Sequence, residues 1–270
     1  MKRLLGLIAG TGDLPKAIAS EARAQGYTVF AIALEPLAER SLSSYVDEIE
    51  WVNVGKFGKI IGTLTKHKIK DAVMAGKVPK SLLYKSKIIP DLRAIKFISS
   101  LKDRSDDSIM RAVAKEIEKE GVNLLNILSF SSGLLTPEGV LTEDSPTKDE
   151  WKDIAFAWEV AKEIGRLDIG QTVVVKNQAV MAVEAIEGTD EAIRRGGKLA
   201  GKGAVVVKVS KPNQDMRFDV PVVGLDTLRA MIEAGARVLA AEAKKSILIN
   251  KNKIIEGSKK AGIAIVGYKE

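Results

Sequence analysis

The chain of 270 residues contains no cysteine. That excludes disulfides, thiolate metal sites, iron–sulfur clusters and thiol nucleophiles. It contains one histidine, His67, set between Lys66 and Lys68. An imidazole-rich metal site is therefore excluded, as is a Ser-His-Asp site built elsewhere, and His67 reads as a solvated helix residue. Aromatic residues are only 5% of the chain and its basic residues are scattered. Stacking platforms interleaved with arginine are missing, so nucleic acid is not an expected partner. No apolar run approaches the roughly 20 residues of a membrane-crossing helix. The run Leu4–Ala9 is stopped by Gly10, too soon for a signal peptide, and a cytoplasmic protein is expected.

Apolar residues make up 46% and charged residues 29%, the balance of an ordinary folded protein of one or two domains. The net charge of +7 fits either a solvated charged surface or attraction to anions such as phosphates and acidic membrane surfaces. Any acid, base or metal ligand has to come from Asp, Glu, Lys or hydroxyl groups.

The patterning predicts an α/β fold. Leu4–Ala9, Thr28–Leu34 and Ala72–Ala75 read as strands, and Pro15–Gln25 and Phe57–Lys66 as helices. This rhythm argues for a Rossmann-like parallel sheet over residues 1–140. Ser105–Glu120 is helical, and Ser131–Lys148 loses periodicity and carries the domain boundary. A separate α/β domain, 141–270, is expected from the helices Trp151–Arg166, Thr189–Arg195 and Leu225–Ala234. Its strands are Val173–Val175, Ala179–Val183, Ala204–Val207 and Ile263–Val266.

Five segments could carry chemistry. Gly10-Thr11-Gly12-Asp13-Leu14-Pro15 follows a strand and opens a helix, where backbone amides can approach an anion. Glu35 ends the second strand, where a dinucleotide enzyme keeps its ribose-binding acid, so an NAD(P)-dependent oxidoreductase is a rival reading. Pro15 stands against it, because the third fingerprint position should be Gly or Ala. Gly76-Lys77-Val78 follows another strand, and Lys77 is either a phosphate contact or a loop lysine. Asp106-Asp107, after Arg104-Ser105, suits an acidic first helical turn.

Glu184 is followed by Glu187-Gly188-Thr189-Asp190. On a strand, Glu184 and Glu187 would face opposite sides; Thr189 or Asp190 could cap a helix, or the carboxylates could hold Mg²⁺ through oxygen. The densest segment runs from Lys208 through Lys211-Pro212-Asn213-Gln214-Asp215-Met216-Arg217-Phe218-Asp219-Val220-Pro221. If extended, it places Asp215, Arg217 and Asp219 on one face, either as a surface ion-pair ladder or as parts for phosphoryl chemistry.

Several of these residues together resemble the LpxI family of UDP-2,3-diacylglucosamine pyrophosphatases. They are Gly6-Leu7-Ile8-Ala9-Gly10 with Leu14-Pro15, Phe57-Gly58-Lys59, Asp106-Asp107 and Ile164–Gln171. Glu184-Ala185, Glu187–Asp190, and Lys211-Pro212 with Gln214, Arg217, Asp219, Pro221 and Gly224 complete the set. The resemblance runs in order through nearly the whole chain. It implies two domains with the substrate held between them, and Mg²⁺-dependent hydrolysis to UMP and 2,3-diacylglucosamine 1-phosphate in lipid A synthesis. It places the essential aspartate of Arg-x-Asp-x-Pro on Asp219, with Arg217 and Asp215 beside it as catalytic candidates. Gly10, Thr11, Gly12, Leu14, Gly76, Lys77, Val78, Gln171, Thr189, Asp190 and Lys211 are the substrate-binding candidates, and Asp219, Asp190 and Glu187 the metal candidates. Lys77 departs from the family, which has Asn there. The resemblance also implies a homodimer and an apolar groove for two acyl chains. Leu82, Leu83, Ile88, Ile89 and Leu92 could line that groove, make peripheral contact with the inner membrane, or pack in a core.

Overall fold

The computed structural model describes residues 3–78, 90–101, 106–212 and 214–270. Leu82, Leu83, Ile88, Ile89, Arg104, Ser105 and Asn213 lie outside the described residues, as do the side chains of Asp106 and Asp107. The chain forms two compact units. The first is Met1–Ser132 with Asp215–Phe218, and the second is Gly133–Gln214 with Asp219–Glu270. The division between Ser132 and Gly133 falls inside the aperiodic stretch 131–148, ahead of the expected 140/141.

The first unit begins β1 (Arg3–Ala9), α1 (Leu14–Ala24), β2 (Tyr27–Glu35), β3 (Glu48–Asn53), α2 (Phe57–Lys66) and β4 (Asp71–Ala75). It continues α3 (Leu92–Ser100), α4 (Asp106–Glu118) and β5 (Asn123–Leu124). The sheet order is β3-β2-β1-β4-β5, and every pair is parallel. The fully buried Leu5, Leu7, Val29 and Ala31 alternate with Ile8, Phe30 and Ile32. The second set packs with Ile60, Ile61 and Leu64 of α2 and Ile117 of α4, so both faces of the sheet are covered. His67 caps the end of α2 and stacks on Phe30 with centroids 4.1 Å apart, so it is half-buried rather than solvated.

The second unit starts with β6 (Gly139–Val140), α5 (Lys148–Arg166), β7 (Thr172–Lys176), β8 (Ala179–Val183), α6 (Thr189–Ala200) and β9 (Ala204–Lys208). Then come β10 (Val222–Val223), α7 (Leu225–Ala234), β11 (Ala236–Glu242), β12 (Ile247–Leu248), α8 (Lys251–Ala261) and β13 (Ala264–Tyr268). Its six-stranded sheet runs β6-β13-β11-β9-β7-β8, parallel across β13-β11-β9 and antiparallel outside them. One face packs on α5 through Ile154, Ala157, Trp158 and Ala161. The other packs on α6, α7 and α8 through Ile193, Leu228, Met231 and Ile254. Burial at these strands, roughly 25 cal/mol per Å² of apolar surface, is what holds the layers. α5 starts in a capping box: Thr147 Oγ1 accepts from the Glu150 amide and the Glu150 carboxylate accepts from the Thr147 amide. Among the described residues no helix is long and apolar enough to cross a membrane.

Candidate active site

In the second unit, polar side chains gather where β9 and β11 end and β7 begins. A six-stranded sheet offers such groups at the carboxyl ends of its parallel strands, because there the chain leaves the ladder. On the α6 face, Lys208 and Thr189 meet: Lys208 Nζ lies 2.6 Å from Thr189 Oγ1, which lies 2.9 Å from Glu184 Oε1. All three are buried. An ammonium can only donate, so the threonine oxygen accepts from Lys208 and its one proton goes to the carboxylate. Glu184 also accepts from the Gln171 amide at 3.4 Å. Gly170 allows this approach, since a Cβ there would lie 2.1 Å from the Glu184 carbonyl oxygen.

On the α5 face, the buried Glu242 accepts from Lys162 Nζ at 2.5 Å and from the Ser210 amide at 2.7 Å. Lys162 also donates to the Ser210 carbonyl at 3.0 Å. Ser210 precedes Lys211, whose ammonium lies 2.6 Å from Asp168 Oδ1 and 3.9 Å from Asp219 Oδ2. Gln214 Oε1 accepts from the Lys211 amide at 2.8 Å and from Ser210 Oγ at 2.9 Å, and Gln214 Nε2 donates to Gln171 Oε1 at 3.3 Å. The structure thus joins four of the expected site residues, Gln171, Thr189, Lys211 and Asp219, to a polar network in one unit.

The other expected residues have other hydrogen-bond and ion-pair partners. Asp215–Phe218 belongs to the first unit and is a turn, not an extended strand, with the Phe218 amide donating to the Asp215 carbonyl at 3.2 Å. Asp215, Arg217 and Asp219 therefore do not share a strand face. Two forces bend the segment: Phe218 packs on the first unit's core, and Arg217 folds back onto Asp215, with Nη2 2.7 Å from Oδ2. Arg217 Nη1 also donates to Glu118 at 2.7 Å. The bond from Arg217 holds the Asp215 carboxyl below its usual range, and Asp215 in turn raises the guanidinium.

The expected metal set is not brought together. Among the described residues no three acidic or imidazole groups gather to hold an ion. Glu187 is ion-paired with Arg195, which lowers its pKa, and Asp190 accepts from Thr227 Oγ1 at 3.1 Å. Both sit by α6, but each already has a local partner.

In the first unit, the glycine loop is stitched to the Gly76 loop. The Gly10 amide donates to the Ala75 carbonyl at 2.8 Å, and Thr11 and Lys77 exchange two backbone bonds. A Cβ on Gly10 would meet the Lys77 oxygen at 2.6 Å, and one on Gly76, at φ +88°, would meet the Thr11 oxygen at 2.7 Å. Close backbone packing thus explains both glycines. Pro15 is buried with its ring against Gly76, at the position where a dinucleotide fingerprint would carry Gly or Ala. Gly12 and Leu14 continue into α1, where Asp13 pairs with Lys16 at 2.8 Å instead of capping the helix. Val78 is exposed. Glu35 pairs with Arg40 at 2.9 Å.

Sequence reasoning missed Lys162 and Glu242. The available signal was a lone carboxylate ending the apolar run Val238–Ala241 and a lysine on the apolar face of α5.

Comparison with known proteins follows the same two-part division. The model of the LpxI N-terminal domain matches residues 4–134, and that of the LpxI C-terminal domain matches residues 137–266. The chain is similar to "UDP-2,3-diacylglucosamine pyrophosphatase LpxI" of Caulobacter vibrioides, 34% identical over 276 residues, 98% of this chain and 97% of that one. Two solved structures show a more distant likeness. Phosphoribosylglycinamide synthetase from Anaerococcus prevotii has TM-score 0.29 and 14% identity, over 72% of this chain and 41% of that one. The biotin carboxylase subunit of pyruvate carboxylase has TM-score 0.28 and 12% identity, over 74% and 42%. This chain spans less than half the length of either.

Proposed function

Because this chain belongs to the LpxI family, we propose that it hydrolyses UDP-2,3-diacylglucosamine to UMP and 2,3-diacylglucosamine 1-phosphate. Water attacks the α-phosphorus, with Mg²⁺ as cofactor. The observation that carries the reading is the cluster of Lys211, Asp168 and Asp219 at the carboxyl edge of the second sheet. Phosphoryl chemistry is assisted by cations that neutralise oxygens and by a carboxylate that holds metal or orients water. Lys211 is assigned to the diphosphate and Asp219 to the metal or the attacking water. Gln171, Thr189 and Asp190 are assigned to substrate contacts. Asp215 and Arg217, bound to each other, fix the turn that immediately precedes Asp219 in the chain.

The donor chemistry fits Mg²⁺, which takes oxygen ligands and commonly uses one or two carboxylates plus substrate phosphates. Asp219 would supply such a carboxylate, and the bound ion would supply charge neutralisation at the diphosphate. The glycine loop Gly10-Thr11-Gly12 with Leu14, and Gly76-Lys77-Val78, are assigned to the nucleotide. The oxidoreductase reading is not favoured by the family. A cytoplasmic location, peripheral contact with the inner membrane and a homodimer belong to the same proposal. Exposed Leu92, Ile95 and Ile98 of α3 support the membrane contact.

The test is release of UMP from UDP-2,3-diacylglucosamine with Mg²⁺ and then with EDTA. Metal-dependent release is expected, and Asp219→Asn should keep substrate binding while losing most turnover. Absence of release by the wild type, or a near-normal rate in the variant, would overturn the respective assignment.

A further inference from the structure

The Lys211 backbone N–H can only donate, so the Gln214 atom it meets at 2.8 Å has to be the amide oxygen. The Ser210 hydroxyl donates to the same oxygen. The Gln214 NH₂ is thereby turned towards Gln171, and the Gln171 atom facing it at 3.3 Å has to be an acceptor, Oε1. One backbone amide thus settles the orientation of two side-chain amides in series. The Gln171 NH₂, the far end of its amide, is turned away from Gln214.

We propose that Gln214 is a positioning residue that fixes the polarity of Gln171, so that Gln171 offers only a donor and receives an acceptor oxygen of the substrate. This rests on the assignment of Gln171 as a substrate contact. Three structural facts make the device rigid. Gly170, beside Gln171, is packed against the Glu184 backbone. The Gln171 backbone N–H donates to the Glu184 carboxylate. Ser210 is held by Glu242 and Lys162. The acceptor class covers phosphoryl oxygens and uracil carbonyls, both carried by a uridine diphosphate ester.

Gln214→Glu keeps two acceptors for the Lys211 amide and Ser210 but has no donor. Gln171 then has to rotate its amide to donate to the introduced carboxylate and presents oxygen to the substrate instead. The added charge could also weaken binding directly, so the experiment is a double-mutant cycle with Gln171→Met. KM and kcat are measured for UDP-2,3-diacylglucosamine, and the affinities of UMP and inorganic pyrophosphate by calorimetry.

Gln214→Glu is expected to raise KM about tenfold, the worth of one good hydrogen bond, with a smaller change in kcat. In the Gln171→Met background it should add less than about twofold. Equal effects of Gln214→Glu in both backgrounds would overturn the proposal, since repulsion by charge needs no Gln171. The probe whose affinity falls in Gln214→Glu but not further in the double variant identifies phosphoryl oxygen or uracil carbonyl as the acceptor. Because calorimetry reads binding without turnover, a wild type that binds these probes yet releases no UMP would sink the catalytic reading alone. Unchanged affinity for both probes in Gln214→Glu would sink the polarity proposal alone.

Discussion

Replacing Thr189 with valine removes one hydroxyl and almost no volume, from a position where that hydroxyl lies between two buried charged groups. Thr189 Oγ1 lies 2.6 Å from Lys208 Nζ and 2.9 Å from Glu184 Oε1, and all three residues are under a tenth exposed. A hydrogen bond to a charged group contributes about 1.5–3 kcal/mol, and valine deletes two of them. Glu184 keeps its bond from the Gln171 amide. The loss should therefore fall short of the full sum, at ~2–4 kcal/mol. Thr189→Ser keeps the hydroxyl and loses one methyl, for about 1 kcal/mol. The assay is urea unfolding followed by tryptophan fluorescence. Two of the three tryptophans, Trp151 and Trp158, lie in α5 of the second unit. A Trp51→Phe background therefore reports on that unit and separates it from the first, which matters where two units need not unfold together. If valine costs no more than serine, the hydroxyl does not join Glu184 and Lys208 and the network account is wrong.

Three further outcomes are expected. Gly170→Ala should destabilise the second unit by ~3 kcal/mol and raise KM, because its methyl would sit 2.1 Å from the Glu184 carbonyl oxygen and push Gln171 away; a Tm within error of wild type would contradict the packing. Gly76→Ala should cost the first unit ~2–4 kcal/mol, combining a left-handed φ of +88° with a contact of 2.7 Å to the Thr11 oxygen, as read by chemical unfolding. Arg217→Met should cost about 1 kcal/mol near neutral pH, discounted because Arg217 is a third exposed. The folded-state pKa of Asp215 is depressed below 3.8, so this stabilisation is present above the unfolded value and is lost as pH falls through the folded one. Wild-type and variant unfolding curves should converge there, and a gap that widens on acidification would refute the pairing.

Helix and strand positions were largely legible, and the reason is periodicity. Phe57–Lys66, Ala179–Val183 and Leu225–Ala234 have the bounds read from spacing alone. β3 was not legible, because Glu48, Glu50 and Trp51 look like neither a buried nor a cleanly alternating strand. α8 was missed because Gly257 and the lysines at 251, 253, 259 and 260 dilute its apolar stripe, although Gly257 is needed where Leu228 packs against it. The turn at Asn177-Gln178 is set from a distance: buried Asp153 of α5 accepts both backbone amides, at 2.9 and 2.6 Å.

By itself the sequence determined the chemical vocabulary, the α/β alternation and the family, since each depends on residue identity or on order along the chain. Without cysteine and with one histidine, the candidate chemistry had to be carboxylate, lysine, amide and hydroxyl. Only the tertiary structure decided which of those groups meet. Asp215, Arg217 and Asp219 are two residues apart in turn, yet the first two belong to one unit and the third to the other, with the partly buried Phe218 packed on the first unit's core at the crossing. Glu242 and Lys162 are 80 residues apart and share a buried bond. Hydrogen bonds and desolvation act over a few ångströms, and separation along the chain says nothing about such distances once strands from different parts of it lie side by side.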